Sequence, residues 1–404
     1  MKRFTGIILT AIAITALCSC GEDRSQEYYE LTKENHWVMD QMKEVYLWRE
    51  SISDAKQQTY FNTVSQFFKK LLNGGDNASW VADSANVATY GMTYSLMRDP
   101  LRIVPSQTYA LVEFVEPQSV AAAAGIKRGM WLTAVNGEAL QMNNNVLAAG
   151  SAVELSTSKM VYNAETEKYC WEESAAILLP AATSIAKAAV AVEKTIDCGS
   201  TKAGYILFNN FDDENAADAV CSAISNFESQ GTEHIVLDLR YADGSSIANS
   251  AAVAAAFVSA DKAGTPFATL YKDPLYSEKV DVTFPQATVT GEKNLYIITT
   301  GRTKGITSCF VNAIVASRTN VTIVGTVAAG SELLTESFAS PYKFIINPAT
   351  AFIYTPLGEP ANALTPHYEL QEYDGYTAIY ELGNEQEYML QNICHLINNG
   401  QLQQ

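Results

Sequence analysis

Residues Ile235–Ser246, IVLDLRYADGSS, constrain the fold of this 404-residue chain more than any other stretch. Ile235 to Leu239 are apolar except for Asp238, the pattern of a short buried strand. The run breaks at Arg240-Tyr241 into a polar turn holding Gly244. A buried parallel strand with a charged pair and a glycine turn at its carboxyl end is where α/β proteins build sites. An ordinary strand followed by an ordinary loop carries the same pattern.

The chain is 48% hydrophobic and 18% charged, which is globular rather than disordered, and long enough for two or three domains. Its formal charge of −17 argues against nucleic acid as a partner, because such binding needs a basic face to release counterions. It fits a soluble exported protein. Lys2 and Arg3 precede an apolar run, Ile7 to Leu17, of signal-peptide length and too short to span a bilayer comfortably. Leu17-Cys18-Ser19-Cys20 resembles a bacterial lipobox, which implies cleavage before Cys20 and a membrane anchor of lipid on its thiol. Gly21-Glu22-Asp23 resembles the acidic export tag of Bacteroidota surface lipoproteins. The resemblance implies a cell-envelope, outer-membrane lipoprotein and leaves the face open. An ordinary secretory signal with incidental cysteines is the alternative.

Five cysteines follow: Cys170, Cys198, Cys221, Cys309 and Cys394. None has metal-ligand spacing, and the four histidines are too scattered to complete a cluster, so no metal and no cofactor are expected. Their pairing is left open, with most read as small buried apolar residues.

Residues 24–35 are polar and read as a tether. Val38, Met42 and Val45 then recur at helical spacing, and a second helix over Val64–Leu72 stops at Asn73-Gly74-Gly75. From Ala88 the pattern turns to short β segments. Tyr109–Val115 alternates in part, the alanine run before Gly125 reads as a short helix, and Asn136-Gly137 reads as a tight turn after a strand.

Pro117–Gly129 (PQSVAAAAGIKRG) followed by Leu132–Gly137 (LTAVNG) resembles the core of a PDZ domain, with Met130 where most bacterial members carry Asp. The resemblance implies that a peptide C-terminus adds as a strand, with Tyr90, Gly91, Met92 and Thr93 as its carboxylate-binding loop. Such a domain followed by VLDLRYADG resembles the tail-specific, C-terminal-processing serine peptidases of family S41. Asn35–Trp48 resembles the N-terminal helix of Bacteroidota members, Ala203–Phe211 the strand opening their core, Asn294–Thr300 the strand before the nucleophile, and Leu364-Thr365-Pro366 a late turn. The implied fold class is α/β. A signal peptide (1–19) precedes a tether and N-terminal helical segment (20–88), a PDZ-like β-rich domain (89–188) and an S41-type, ClpP/crotonase-like α/β core (189–404).

The family's chemistry needs a serine at a helix start, a lysine made neutral by burial to take its proton, and a glutamine orienting that lysine. Backbone N–H groups of the turn after the D-L-R strand hold the oxyanion. Carried onto this chain, the nucleophile position falls on Gly305 (or Ile306, by the other anchor), the base on Ser331 and the glutamine on Thr335. The oxyanion turn keeps Gly244 but reads Ala242, Asp243 and Ser245 around it. Ser308 with Lys304 is the one relocated pair available, while Thr307 and Cys309 read as helix-start and packing residues. The expectation is a non-catalytic S41 homologue that binds polypeptide C-termini or unfolded segments. A serine endopeptidase with its nucleophile moved to Ser308, and a surface scaffold or interaction protein, are the alternatives.

Overall fold

The structure, a computed structural model, describes residues 25–54, 56–82, 89–143, 147, 150–286, 293–303, 305–361, 363–376 and 378–403. The signal segment and Cys20 therefore lie outside the described residues. The described residues form two compact units, one up to Val45 together with Arg49–Gly74, the other Tyr46–Trp48 together with the residues from Gly75 onward.

In the first unit, α1 (Ser25–Val45) and α2 (Val64–Leu71) pack together. The tether expected over 24–35 is corrected: the chain is helical from Ser25. Two of its polar residues are used rather than solvated. Thr32 and Asn35 are buried, Asn35 Nδ2 donates to the carbonyls of Tyr60 and Asn62 at 2.8 and 2.7 Å, and His36 stacks on Tyr60. Thr63 caps α2 by accepting from Gln66 N, which starts the helix that buries Phe67 and Phe68.

The second unit begins with β1 (Trp80–Ala82) and an antiparallel sheet. That sheet orders β2 (Met92–Arg98), β3 (Thr108–Val115), β4 (Trp131–Val135), β6 (Val153–Asn163) and β7 (Lys168–Leu179), with β5 (Glu138–Ala139) against β4. Asn136 and Gly137 both take positive φ, 51° and 77°, the two-residue hairpin turn that the sequence reading expected. The alanine run forms α3 (Val120–Ala123), capped by Ser119 Oγ accepting from Ala122 N at 3.0 Å.

The core sheet orders β19 (Tyr368–Glu369), β14 (Val321–Gly325), β13 (Asn294–Thr299), β10 (His234–Asp238), β9 (Lys202–Phe208) and β8 (Val190–Asp197). All its pairs are parallel except β8 with β9. Both faces are covered, so its strands read as near-continuous apolar runs. Ile206, Phe208, Leu237 and Ile297 face a cluster with α4 (Ala216–Ser229), α5 (Ile247–Ala255) and α6 (Ile306–Ser317). Their neighbours Tyr205, Leu207, Val236 and Ile298 face α7 (Tyr388–Asn399). A disulfide joins Cys198, just past β8, to Cys394 in α7 across 196 positions, which settles the pairing that the sequence left open. Two small sheets complete the unit: β12 (Lys279–Thr283), β11 (Pro266–Tyr271), β18 (Ala349–Tyr354) and β15 (Leu333–Thr335), and β1 with β17 (Ile345–Asn347) and β16 (Phe338–Ala339).

The charged pair that closes β10 is wholly internal. Arg240 Nε and Nη2 clamp the Asp238 carboxylate at 2.7–3.0 Å, and Tyr205 Oη donates to Asp238 Oδ2 at 2.7 Å. Arg240 Nη1 reaches Glu387 at 2.8 Å and Glu372 at 3.5 Å. Arg128, from the loop before β4, pairs with the same two carboxylates at 3.5 and 3.0 Å. Glu387 is also the N-cap of α7, its Oε2 accepting from Leu390 N at 3.0 Å. Burial pushes Glu372 upward, but Arg240 and Arg128 outweigh it and hold the carboxyl below its usual range. Tyr205 and Tyr241 are pushed well up, by burial first and then by Asp238 and Glu372 respectively.

Glu372 has a folded pKa below its unfolded value, so it stabilises the fold at neutral pH and loses that contribution as pH falls below about 4.3. The two tyrosines have raised folded values, so their contribution is lost as pH rises past about 10. Denaturant titrations across pH should thus show stability falling on both sides of this window. Glu387→Gln leaves two buried guanidinium groups short of a counter-charge and should cost about 3–5 kcal/mol at pH 7 by the same measurement.

Candidate functional site

Strands β9, β10, β13 and β14 are parallel, so their carboxyl ends deliver four loops to one edge of the core sheet. Asn209 follows β9, Arg240–Ser245 follow β10, Gly301, Arg302 and Gly305 lie between β13 and α6, and Ala329–Ser331 follow β14. Together with Thr93, Phe114 and Glu116 of the β-rich module they line a cleft of about 760 Å³. Gly305, Ile306, Ser331, Thr335 and Gly244, all named from sequence and distant along the chain, meet in this one cleft.

Gly305 is the N-cap of α6 at φ 57°, ψ −129°, a backbone conformation suited to glycine, and a Cβ there would meet nothing within 4 Å. The backbone thus presents position 305 to open space and supplies no side chain. Ser331 is occupied locally, its Oγ donating to Leu333 O at 3.0 Å and accepting from Leu333 N at 3.2 Å. Thr335 ends β15 and is half-buried. Among the described lining residues the one ammonium is Lys187, and it is exposed.

The turn after β10 has its donors taken. Gly244 N–H donates to Asp243 Oδ1 at 2.8 Å, and Ser245 and Ser246 N–H donate to Asp212 Oδ1 at 2.8 and 2.9 Å. An oxyanion would find no open donor among these three and would meet two carboxylates. Arg240 and Asp238 do not act as a working pair at the cleft. They are 1% and 0% exposed and are saturated by the ion cluster described above.

Ser308 does not line the cleft. It is 0% exposed, and its Oγ donates to Thr303 O at 3.4 Å. Its suggested partner Lys304 lies outside the described residues. Thr307 does line the cleft, donating to Ala242 O at 3.5 Å, while Cys309 packs against the core with its thiol pushed up by burial to about 12. The loop Tyr90–Thr93 is drawn in tightly. Tyr90 is buried with its O accepting from Ala121 N, Gly91 N–H donates to Thr89 Oγ1 at 3.0 Å, and Met92 and Thr93 pair with Val115 and Phe114. A Cβ at Gly91 would fall 2.2 Å from Ser119 Cβ, and its φ is +75°. Among the described residues no three His, Cys, Asp or Glu side chains group to hold a metal ion.

Sequence reasoning missed two pairings. Glu116 accepts from Asn209 Nδ2 through both carboxylate oxygens at 2.8 Å, and Arg302 pairs with Glu113 while its guanidinium lies 5.6 Å from the Tyr241 ring centre. The polar residues at the end of the AGYILFNNF run were the available signal for the first. The second joins residues 189 apart and left none.

The model of Peptidase family S41 matches residues 202–370, and that of the Peptidase S41 N-terminal domain matches residues 33–83. No curated protein matches the chain. Among solved structures, a Bacteroides fragilis protein assigned to the S41 proteases is 24% identical, with a TM-score of 0.74 over 90% of this chain and 97% of that one. The photosystem II D1 C-terminal processing protease is 14% identical, with a TM-score of 0.51 over 84% and 93%. At these identities the likeness is one of fold.

Placing a hydroxyl at position 305 should not by itself produce hydrolysis. Gly305→Ser is expected to release no fragments from a denatured protein substrate on gels, because Ser331 offers no base and the turn donors stay taken. It should also lower stability by about 1–3 kcal/mol through the positive φ.

Proposed function

We propose that this chain, which belongs to peptidase family S41, is a catalytically degenerate member that binds polypeptide C-termini or unfolded segments without cleaving them. The observation that carries the reading is the composition of the cleft. The positions where the family pattern calls for nucleophile, base and orienting amide are Gly305, Ser331 and Thr335, and the turn's N–H groups serve Asp243 and Asp212. A cleft of about 760 Å³ walled in part by Trp80, Phe114 and Tyr241 still has the size and apolar surface for a peptide segment.

Residues 89–188 are read as a PDZ-like module. The capped α3, the Asn136-Gly137 turn and the antiparallel sheet support that assignment, and β2 is the sheet-edge strand to which a peptide would add. The leader and Cys20 are read as a lipoprotein signal, which would put the protein on the outer membrane. The disulfide is in keeping with an exported protein.

The test uses the purified mature chain with denatured protein and with labelled peptides bearing apolar C-termini. Peptides should raise fluorescence polarisation with no fragments formed over hours, and Gly91→Ala should weaken binding by disturbing the loop before β2. Cleavage that Ser308→Ala abolishes would replace this reading with that of a working peptidase.

A further inference from the structure

The charges lining the cleft do not balance once their partners are counted. Arg240 is matched by Asp238, Glu387 and Glu372, and Arg302 by Glu113, none of which lines the cleft. Among the described lining residues, the carboxylates Glu116, Asp243 and Glu332 then face one ammonium, the exposed Lys187.

The Glu116–Asn209 pair is the second observation. Glu116 is 8% exposed, and among the described residues no Lys or Arg pairs with it; its two oxygens share the Asn209 amide. That contact sets the orientation of the amide, since a reversed Asn209 would aim its oxygen at a carboxylate. Asn209 is 1% exposed and lines the cleft, yet its Oδ1 is buried and finds no hydrogen-bond donor among the described residues. A buried acceptor without a donor is costly, and here it sits beside an uncompensated carboxylate. The main-chain donors of the turn are used up as well, by Asp243 and Asp212. The turn and the Glu116–Asn209 pair are therefore rich in acceptors with their own donors taken, and Trp80, 53% exposed, presents an aromatic ring at the same cleft. Acceptors, negative charge and an aromatic face together suit an ammonium or guanidinium group.

We propose that the cleft selects polypeptide segments carrying a lysine or arginine side chain, with Glu116 and Asn209 Oδ1 receiving the cationic head, Asp243 adding charge and Trp80 forming the wall. This rests on the polypeptide-binding reading and adds to it a charge preference that the family pattern does not contain.

The experiment compares three labelled peptides of equal length and identical apolar C-terminus, with Lys, Ala or Glu at two interior positions, binding to the full mature chain. The Lys peptide should bind about tenfold more tightly than the Glu peptide, with the Ala peptide between them, and the ratio should shrink as salt is raised. Glu116→Gln should cut the Lys-over-Glu ratio severalfold. Asp243→Asn, a change at an exposed side chain with little risk to folding, should cut it as well. Equal binding of the Lys and Glu peptides to the unmodified protein, or an unchanged ratio in Asp243→Asn and in a folded Glu116→Gln, overturns the charge preference and leaves polypeptide binding standing. Failure of all three peptides to bind overturns both.

Discussion

Two guanidinium groups sit inside this protein with almost no access to water, and the rest of the second unit is arranged around the carboxylates that neutralise them. Arg240 brings Asp238, its neighbour at the end of β10, into a bidentate clamp, while Arg128 arrives from a loop more than a hundred residues earlier. Both converge on Glu372 and Glu387. Removing such ions from water costs more than any single ion pair returns, so the arrangement depends on every partner being present at once. Glu387 is also the cap of α7, so the same carboxylate fixes where the C-terminal helix begins. Tyr241 is held by Glu372 at 2.7 Å and stacks on Phe114 at 5.0 Å, which turns the cluster into one wall of the cleft.

That wall stands on packing that also positions the cleft. The parallel strands still end at one edge, and the loops after them still converge, because both follow from the packing of an apolar sheet between helices. None of that packing depends on what stands at Gly305, Ser331 or Thr335, which line the cleft rather than the core. The turn after β10 shows the consequence. Its N–H groups cannot go unsatisfied, and Asp243 and Asp212 answer them with carboxylate oxygens. The turn therefore carries two carboxylates against its own N–H groups.

Much of this was legible along the chain. IVLDLRYADGSS announced a buried strand and a site-bearing turn, and the strand is there at His234–Asp238 with the turn at the cleft. Asn136-Gly137 announced its hairpin because two consecutive positive φ values admit few residue pairs. The polar stretch before Val38 misled, because its residue types suit solvent and only the carbonyls of Tyr60 and Asn62 make burying Asn35 favourable. Local pattern reports which residues can be buried, not which partners will arrive.

The sequence by itself determined the order of the elements and the buried strands, since each depends on neighbours a few positions apart. Tertiary structure alone decided that Asp238 and Arg240 serve the interior and that Ser308 is shut away. It alone decided that Glu116 and Asn209 share a floor and that Cys198 meets Cys394. Those outcomes rest on contacts between residues far apart in the chain. The energy of a charge or a hydrogen bond is set by the partners and the water around it, and these exist only once the chain has closed.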